Sequence, residues 1–130
     1  MLEAKDLTKR YGNKVALTDL NLVVEQGEIF CLLGQNGAGK TTTINLFLGL
    51  LQPTNGQALI GGLEVTKNKA ATNQMIAYIP EVVQLYGNLS GLENLDFFSR
   101  LAGHKLSPAD LSGLLDKVGL QERHHKQKLS

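Results

Sequence analysis

Eight consecutive residues, Gly34-Gln35-Asn36-Gly37-Ala38-Gly39-Lys40-Thr41, carry the most specific chemistry in the sequence. Their order fits G-x-x-x-x-G-K-S/T, a pattern suited to holding the phosphates of a nucleoside triphosphate, here read as ATP with Mg²⁺. Glycines at 34, 37 and 39 let the backbone take positive φ and come close to an anion, so that successive N–H groups point at phosphate oxygens. A helix entered directly from this loop adds the partial positive charge of its N-terminus. Lys40 supplies a full charge for the β- and γ-phosphates, and the Thr41 hydroxyl is placed to bind Mg²⁺. Gly34, Asn36, Gly37, Ala38, Gly39, Lys40 and Thr41 are therefore candidate nucleotide contacts. Lys40 is also a candidate catalytic cation and Thr41 a candidate metal ligand. A glycine-rich turn that merely precedes Lys-Thr is the plain alternative, and the surrounding elements argue against it.

Those elements must present the loop at the end of a strand and the start of a helix. Ile29 to Leu33 is apolar throughout, which predicts a strand covered on both faces in a parallel sheet, with Cys31 as a small buried hydrophobe. A helix is predicted to begin at Lys40-Thr41 and to stop near Pro53. Leu2 to Leu7, Leu17 to Val24 and Gln57 to Ile60 are further strand candidates, separated by the breakers Gly12-Asn13, Gln26-Gly27 and Asn55-Gly56. Met75 to Ile79, ending at Pro80-Glu81, predicts one more strand of the same sheet. Beyond it, Ser90-Gly91-Leu92-Glu93 has the spacing of a capping box, and Leu89, Leu92, Leu95, Phe98 and Leu101 recur at helical intervals. Ser107-Pro108-Ala109-Asp110 offers a second helix start, with Leu111, Leu114, Leu115 and Val118 as its buried stripe and Gly119 as its end. The polar stretch from Gln121 to Ser130 reads as a frayed end or the approach to a further segment.

With 130 residues, 42% hydrophobic and 19% charged, the chain has the composition of one ordinary globular domain at most. A formal net charge of +1 gives no field that would favour nucleic acid or an anionic surface, so no nucleic-acid partner is expected. One cysteine and no secretory pattern at the N-terminus suit a cytoplasmic location. No apolar stretch approaches the roughly 20 residues of a membrane helix, so any link to a membrane must run through another polypeptide.

The residues Leu33-Gly34-Gln35-Asn36-Gly37-Ala38-Gly39-Lys40-Thr41-Thr42, with Tyr11 in a strand-rich segment ahead of them, resemble the ATP-binding subunit of an ATP-binding-cassette (ABC) transporter. Thr54-Asn55-Gly56-Gln57, Gly61-Gly62, Ile79-Pro80 and the run Leu85 to Leu95 follow in that family's order and spacing, and the later stretch is most similar to bacterial exporter subunits whose membrane domains are separate polypeptides. The resemblance implies an α/β fold: a P-loop NTPase, RecA-like core with an antiparallel β segment at the N-terminus and the start of a helical subdomain, incomplete over this length. It places the nucleotide-binding core at residues 1–86 and the beginning of the helical subdomain at 87–130. It adds Thr42 to the nucleotide contacts and makes Tyr11 the aromatic that stacks on adenine, a role any flat π-face can fill. It also implies a glutamine after Met75 to Ile79 that touches Mg²⁺ and the attacking water. This sequence has Glu81 there, a carboxylate that can ligate Mg²⁺ but cannot donate a hydrogen bond. Glu81 is carried as a catalytic and metal candidate on that ground, with Gln84 as the nearby amide.

By the same resemblance the partners are a membrane-embedded transporter subunit and a second ATP-binding subunit in a head-to-tail dimer, with the protein peripheral on the inner face of the cell membrane. Tyr86, Leu89, Phe97 and Phe98 are candidates for the contact with the membrane subunit. The family's signature motif, Mg²⁺-binding strand, catalytic glutamate and switch histidine are expected beyond Ser130. His104, His124 and His125 match none of these and read as solvated surface residues. Without the Mg²⁺-binding strand, Ile29 to Leu33 is expected to present an open apolar edge, and the chain alone to be less stable, prone to associate and not competent for hydrolysis. The rival readings are a soluble ABC-type ATPase acting on ribosomes or DNA, and a non-catalytic nucleotide-binding module.

Overall fold

A computed structural model describes residues 1–120 and 125–128. The chain divides into two compact units, Met1–Tyr78 and Ile79–Ser130.

The first unit is built on a four-stranded antiparallel sheet of β1 (Leu2–Tyr11), β2 (Lys14–Val24), β3 (Asn55–Ile60) and β4 (Leu63–Glu64), in the order β2-β1-β3-β4. Gly12 and Asn13 turn the chain between β1 and β2, where Tyr11 faces Lys14. Both strands of this hairpin bulge, at Asp6 (φ 46°) and Asp19 (φ 44°). Side chains lock the bulges in place. Asn21 accepts the Asp6 N–H at 3.0 Å and donates to the Asp6 carboxylate at 2.9 Å. The Thr8 hydroxyl accepts from the Asp19 N–H at 3.0 Å and donates to its carboxylate at 2.9 Å. A bulge adds a residue and breaks strict alternation, which is why Ala4 and Leu7 both face the core although they are not an even number of residues apart. Asn55 and Gly56, expected as a breaker, instead open β3, with Gly56 against the Asp6 carbonyl.

Helix α1 (Lys40–Phe47) covers the sheet, and Leu46 and Phe47 join Ala4, Leu7, Ala58, Ile60 and Val65 in one buried cluster. It ends six residues before Pro53, at Phe47, because the chain turns at Gly49 (φ 64°) and the N–H groups of Leu50 and Leu51 both return to the Asn45 carbonyl. That glycine termination was available in the sequence and outranks the proline. A short helix α2 (Lys69–Asn73) completes the unit's regular structure.

Neither Ile29 to Leu33 nor Met75 to Ile79 forms the expected strand. Neither run belongs to a ladder among the described residues, and Met75 lies in the turn that follows the last helix of this unit. Ile29 and Leu33 are 94% and 87% exposed, and Cys31 is exposed rather than buried. A parallel strand is covered and hydrogen-bonded only by neighbours on both sides, and none of the described strands lies beside these runs. Phe30 and Leu32 of the first run and Ile76, Ala77 and Tyr78 of the second line an apolar groove of about 230 Å³ with Leu22, Ile44 and Phe47.

The second unit contains α3 (Gly91–Leu101) and α4 (Pro108–Lys117). Both begin with the predicted caps, Ser90 with Glu93 and Ser107 with Asp110, each pair bonding reciprocally. The predicted stripe of α4 is only partly buried: Leu111 is, whereas Leu114 and Val118 are exposed. The buried residue of α3 is polar. Asn94 donates to the carbonyls of Tyr86, Leu89 and Ser90 and accepts from the Tyr86 N–H at 2.9 Å, pinning the segment before the helix. His125 is not a solvated surface residue but 2% exposed. Its Nδ1 lies 2.9 Å from the Ser112 hydroxyl and its Nε2 2.8 Å from the Leu120 carbonyl. His104 is exposed as expected, and His124 lies outside the described residues.

Candidate functional site

The glycine loop runs directly into α1. Gly39 is the N-cap residue, at φ 89°, and no side chain caps the helix. The first N–H of this turn with an acceptor belongs to Thr43, which bonds to the Gly39 carbonyl at 2.8 Å. The N–H groups of Lys40, Thr41 and Thr42 have no acceptor among the described residues. Nor does the first turn hold an acidic residue. Uncapped donors at a helix start, with no acidic residue in the first turn, are an arrangement suited to an anion.

Lys40 completes the positive side of the loop. Its ammonium donates to the carbonyls of Gly34 at 2.6 Å and Gln35 at 2.8 Å, tying the start of the loop to the start of the helix. A tight turn closed by the Ala38 N–H on the Gln35 carbonyl at 3.1 Å lies between them. The Thr43 hydroxyl, buried, also bonds to the Gly39 carbonyl, at 3.0 Å. Thr43 was not singled out by the sequence pattern, although it follows Gly39 by one helical turn.

The loop rests on β2. A Cβ on Gly39 would stand 2.5 Å from the Ala16 carbonyl oxygen and 3.6 Å from Leu17, so the backbones meet where only glycine fits. Gly37 shares the positive φ of 89° but has open space around it. Two glycines of one motif thus serve different ends, one for packing and one for conformation alone.

Thr41 is exposed, and its hydroxyl makes no hydrogen bond among the described residues. Tyr11, the last residue of β1, is 48% exposed, with the Lys9 ammonium 5.1 Å from its ring centroid. Tyr11 and the loop therefore belong to the first unit, whereas Glu81 and Gln84 belong to the second and are exposed. Glu81 makes no hydrogen bond or ion pair among the described residues, where no cluster of three or more metal-ligating side chains occurs either. In the second unit Tyr86, Phe97 and Phe98 form an aromatic cluster, with centroids 5.1 to 6.1 Å apart, and all three stay more than a third exposed.

A family model described as ABC transporter matches residues 17–130. The chain belongs to the ABC transporter family. Among curated ABC relatives, the bacitracin transport ATP-binding protein BcrA of Bacillus licheniformis is 44% identical over 130 residues, which is 99% of this chain and 41% of BcrA. The probable multidrug ABC transporter ATP-binding protein YbhF of Escherichia coli is 46% identical over 103 residues, 79% of this chain and 18% of YbhF. A solved ATP-binding subunit of an ABC transporter superposes with a TM-score of 0.78 at 37% identity, over 98% of this chain and 53% of the solved one. A dimeric bacterial ABC transporter cassette gives 0.77 at 25% identity, over 98% and 61%. The ABC chain thus spans less than two thirds of each of these relatives. Its fold is that of the P-loop NTPase domains of ABC ATPases, with the antiparallel sheet and helices described above. Among the described residues no helix is long and apolar enough to cross a membrane.

Proposed function

We propose that this chain is the nucleotide-binding part of an ABC transporter subunit that binds ATP with Mg²⁺ and, as a whole protein, hydrolyses it to drive transport through a separate membrane protein. The observation that carries the reading is the row of unoccupied amides on Lys40, Thr41 and Thr42, joined by the Lys40 ammonium held over the loop. In this reading Gly34, Asn36, Gly37, Ala38 and Gly39 wrap the phosphates with backbone, and Lys40 balances charge that builds on the γ-phosphate during transfer. Tyr11 offers a ring face to adenine. The unpartnered Thr41 hydroxyl in the first unit is a hard oxygen donor of the kind Mg²⁺ takes and fits the ion, and the exposed Glu81 carboxylate in the second unit is a donor of the same chemical type. Held by Thr41, Mg²⁺ would neutralise the phosphate charge.

The nucleotide-binding core is assigned to residues 1–86 and the start of the helical subdomain to 87–130. Tyr86, Phe97 and Phe98, clustered and partly exposed, are proposed with Leu89 to meet the membrane-embedded subunit, and a second ATP-binding subunit to complete a head-to-tail dimer. The dimeric form of the solved bacterial cassette supports that assembly. The protein would then sit on the cytoplasmic face of the membrane. Titration with a fluorescent ATP analogue tests the reading. Lys40→Ala removes one charge and two loop-closing bonds, and is expected to weaken binding about 10- to 100-fold. Unchanged affinity would overturn the assignment.

A further inference from the structure

We propose that Lys9 is a positioning residue for the nucleotide base: it holds the Tyr11 ring by its face and fixes that ring relative to the phosphate loop. The proposal rests on the reading of Tyr11 as the base-stacking aromatic, and extends it to a residue outside both the glycine loop and the aromatic itself.

Lys9 and Tyr11 are two residues apart on β1, and strand periodicity puts both side chains on one face of the sheet. The Lys9 ammonium lies 5.1 Å from the Tyr11 centroid, within the range at which a cation is drawn to a ring face. It is not free to wander there, because it also donates to the Gln52 carbonyl at 2.7 Å. That carbonyl belongs to the segment that leaves α1, the helix whose other end receives the phosphates. Two more bonds strap the same segment to β1. The Thr54 N–H donates to the Thr8 carbonyl at 2.8 Å, and the Arg10 N–H donates to the Thr54 hydroxyl at 3.0 Å. Lys9 is the member of this strap that reaches the ring.

The consequence is mechanical. A nucleoside triphosphate is gripped at two places, and the grip tightens only if base and phosphate sites keep a fixed separation. Tyr11 is 48% exposed and ends a strand at a turn, so its ring has little packing of its own to hold it. A cation anchored to the segment that leaves α1 supplies that restraint from one face and leaves the other for a base. It also withdraws the ring from rotamers that an unrestrained exposed tyrosine would sample before binding.

The test compares ATP with inorganic tripolyphosphate, which keeps the phosphate grip and lacks a base, on the 130-residue chain. Lys9→Met preserves the apolar stem and removes the cation. It is expected to weaken ATP about two- to fivefold and leave tripolyphosphate unchanged. Lys9→Arg, which keeps a cation able to lie on the ring, should restore ATP binding. In a Tyr11→Leu background, Lys9→Met should have no further effect. If Lys9→Met weakens both ligands equally, or its effect survives in Tyr11→Leu, Lys9 acts through the phosphates or the general fold and the proposal is overturned. A lowered melting temperature without a difference between the two ligands overturns it in the same way. If Tyr11→Leu alone costs ATP no more than it costs tripolyphosphate, the stacking reading itself fails. That result is distinguishable, because it appears without any change at Lys9.

Discussion

The two glycines of the phosphate loop that share a φ of 89° give a measurable separation of strain from contact. In Gly37→Ala the new methyl meets no atom within 4 Å, so the variant bears only the penalty of a left-handed L-residue, about 1–2 kcal/mol. Gly39→Ala bears that penalty too, and its methyl would stand 2.5 Å from the Ala16 carbonyl oxygen. The loop or β2 must yield by roughly half an ångström merely to relieve the clash and by about 0.9 Å to reach ordinary contact, and forcing extra volume into a packed site costs about 1–3 kcal/mol. The difference between the variants is therefore about 1–3 kcal/mol. For a domain of this size it corresponds to Gly39→Ala melting roughly 4 to 20 °C below Gly37→Ala. Thermal unfolding followed by circular dichroism, with ATP titration alongside, reads both quantities. Gly39→Ala should also bind ATP more weakly, since the displaced backbone carries the Lys40 amide with it. Equal melting temperatures would refute the reasoning, because they would mean that β2 does not form the wall of the loop.

Two further outcomes concern the second unit. Asn94→Ala strips a donor from the carbonyls of Tyr86, Leu89 and Ser90 and an acceptor from the Tyr86 N–H, and is expected to cost about 1–3 kcal/mol, with faster hydrogen exchange at the Tyr86 amide. Unchanged exchange there would show that the segment is held by something else. The Ser90 N–H first, and then its hydroxyl, hold the Glu93 carboxyl below its ordinary range. At Asp110 the Ser107 hydroxyl leads and its N–H follows, in the same direction. A carboxylate whose folded pKa is depressed stabilises the fold above its unfolded value and loses that contribution as pH falls through the folded one. Helical signal should therefore decline in acid below about pH 4, and the combined Glu93→Gln and Asp110→Asn variant should flatten that decline. An identical acid profile in the variant would place the transition elsewhere.

The sequence is most legible where a local rule decides the structure. Ser90 with Glu93 and Ser107 with Asp110 specify helix starts within four residues, and both form as read. The glycine loop followed by a helix is equally local, and α1 begins at Lys40 as expected. Legibility fails where a residue's surroundings come from elsewhere in the chain. Ile29 to Leu33 has the composition of a buried strand, but burial requires strands beside it, and Cys31 is exposed among the described residues. Asn94 and His125 are buried where they bond the carbonyls of loop residues just before them, Tyr86, Leu89 and Leu120 among these, and periodicity does not encode such bonds. At the site, the motif names Lys40 and Thr41 but not Ala16, whose carbonyl explains the glycine at 39, nor Lys9, whose strap to Gln52 joins residues far apart in sequence.

The central claim is that main-chain amides at the start of α1 grip a polyphosphate. Backbone amide resonances of nitrogen-15-labelled chain, followed as Mg²⁺ and ATP are added, test it most directly. Shifts should concentrate at Gly37 to Thr42, tripolyphosphate should reproduce them, and the Thr43 amide, already bonded to Gly39, should move least in the helix start. Saturating nucleotide that leaves the amides of Lys40, Thr41 and Thr42 in place would contradict the account.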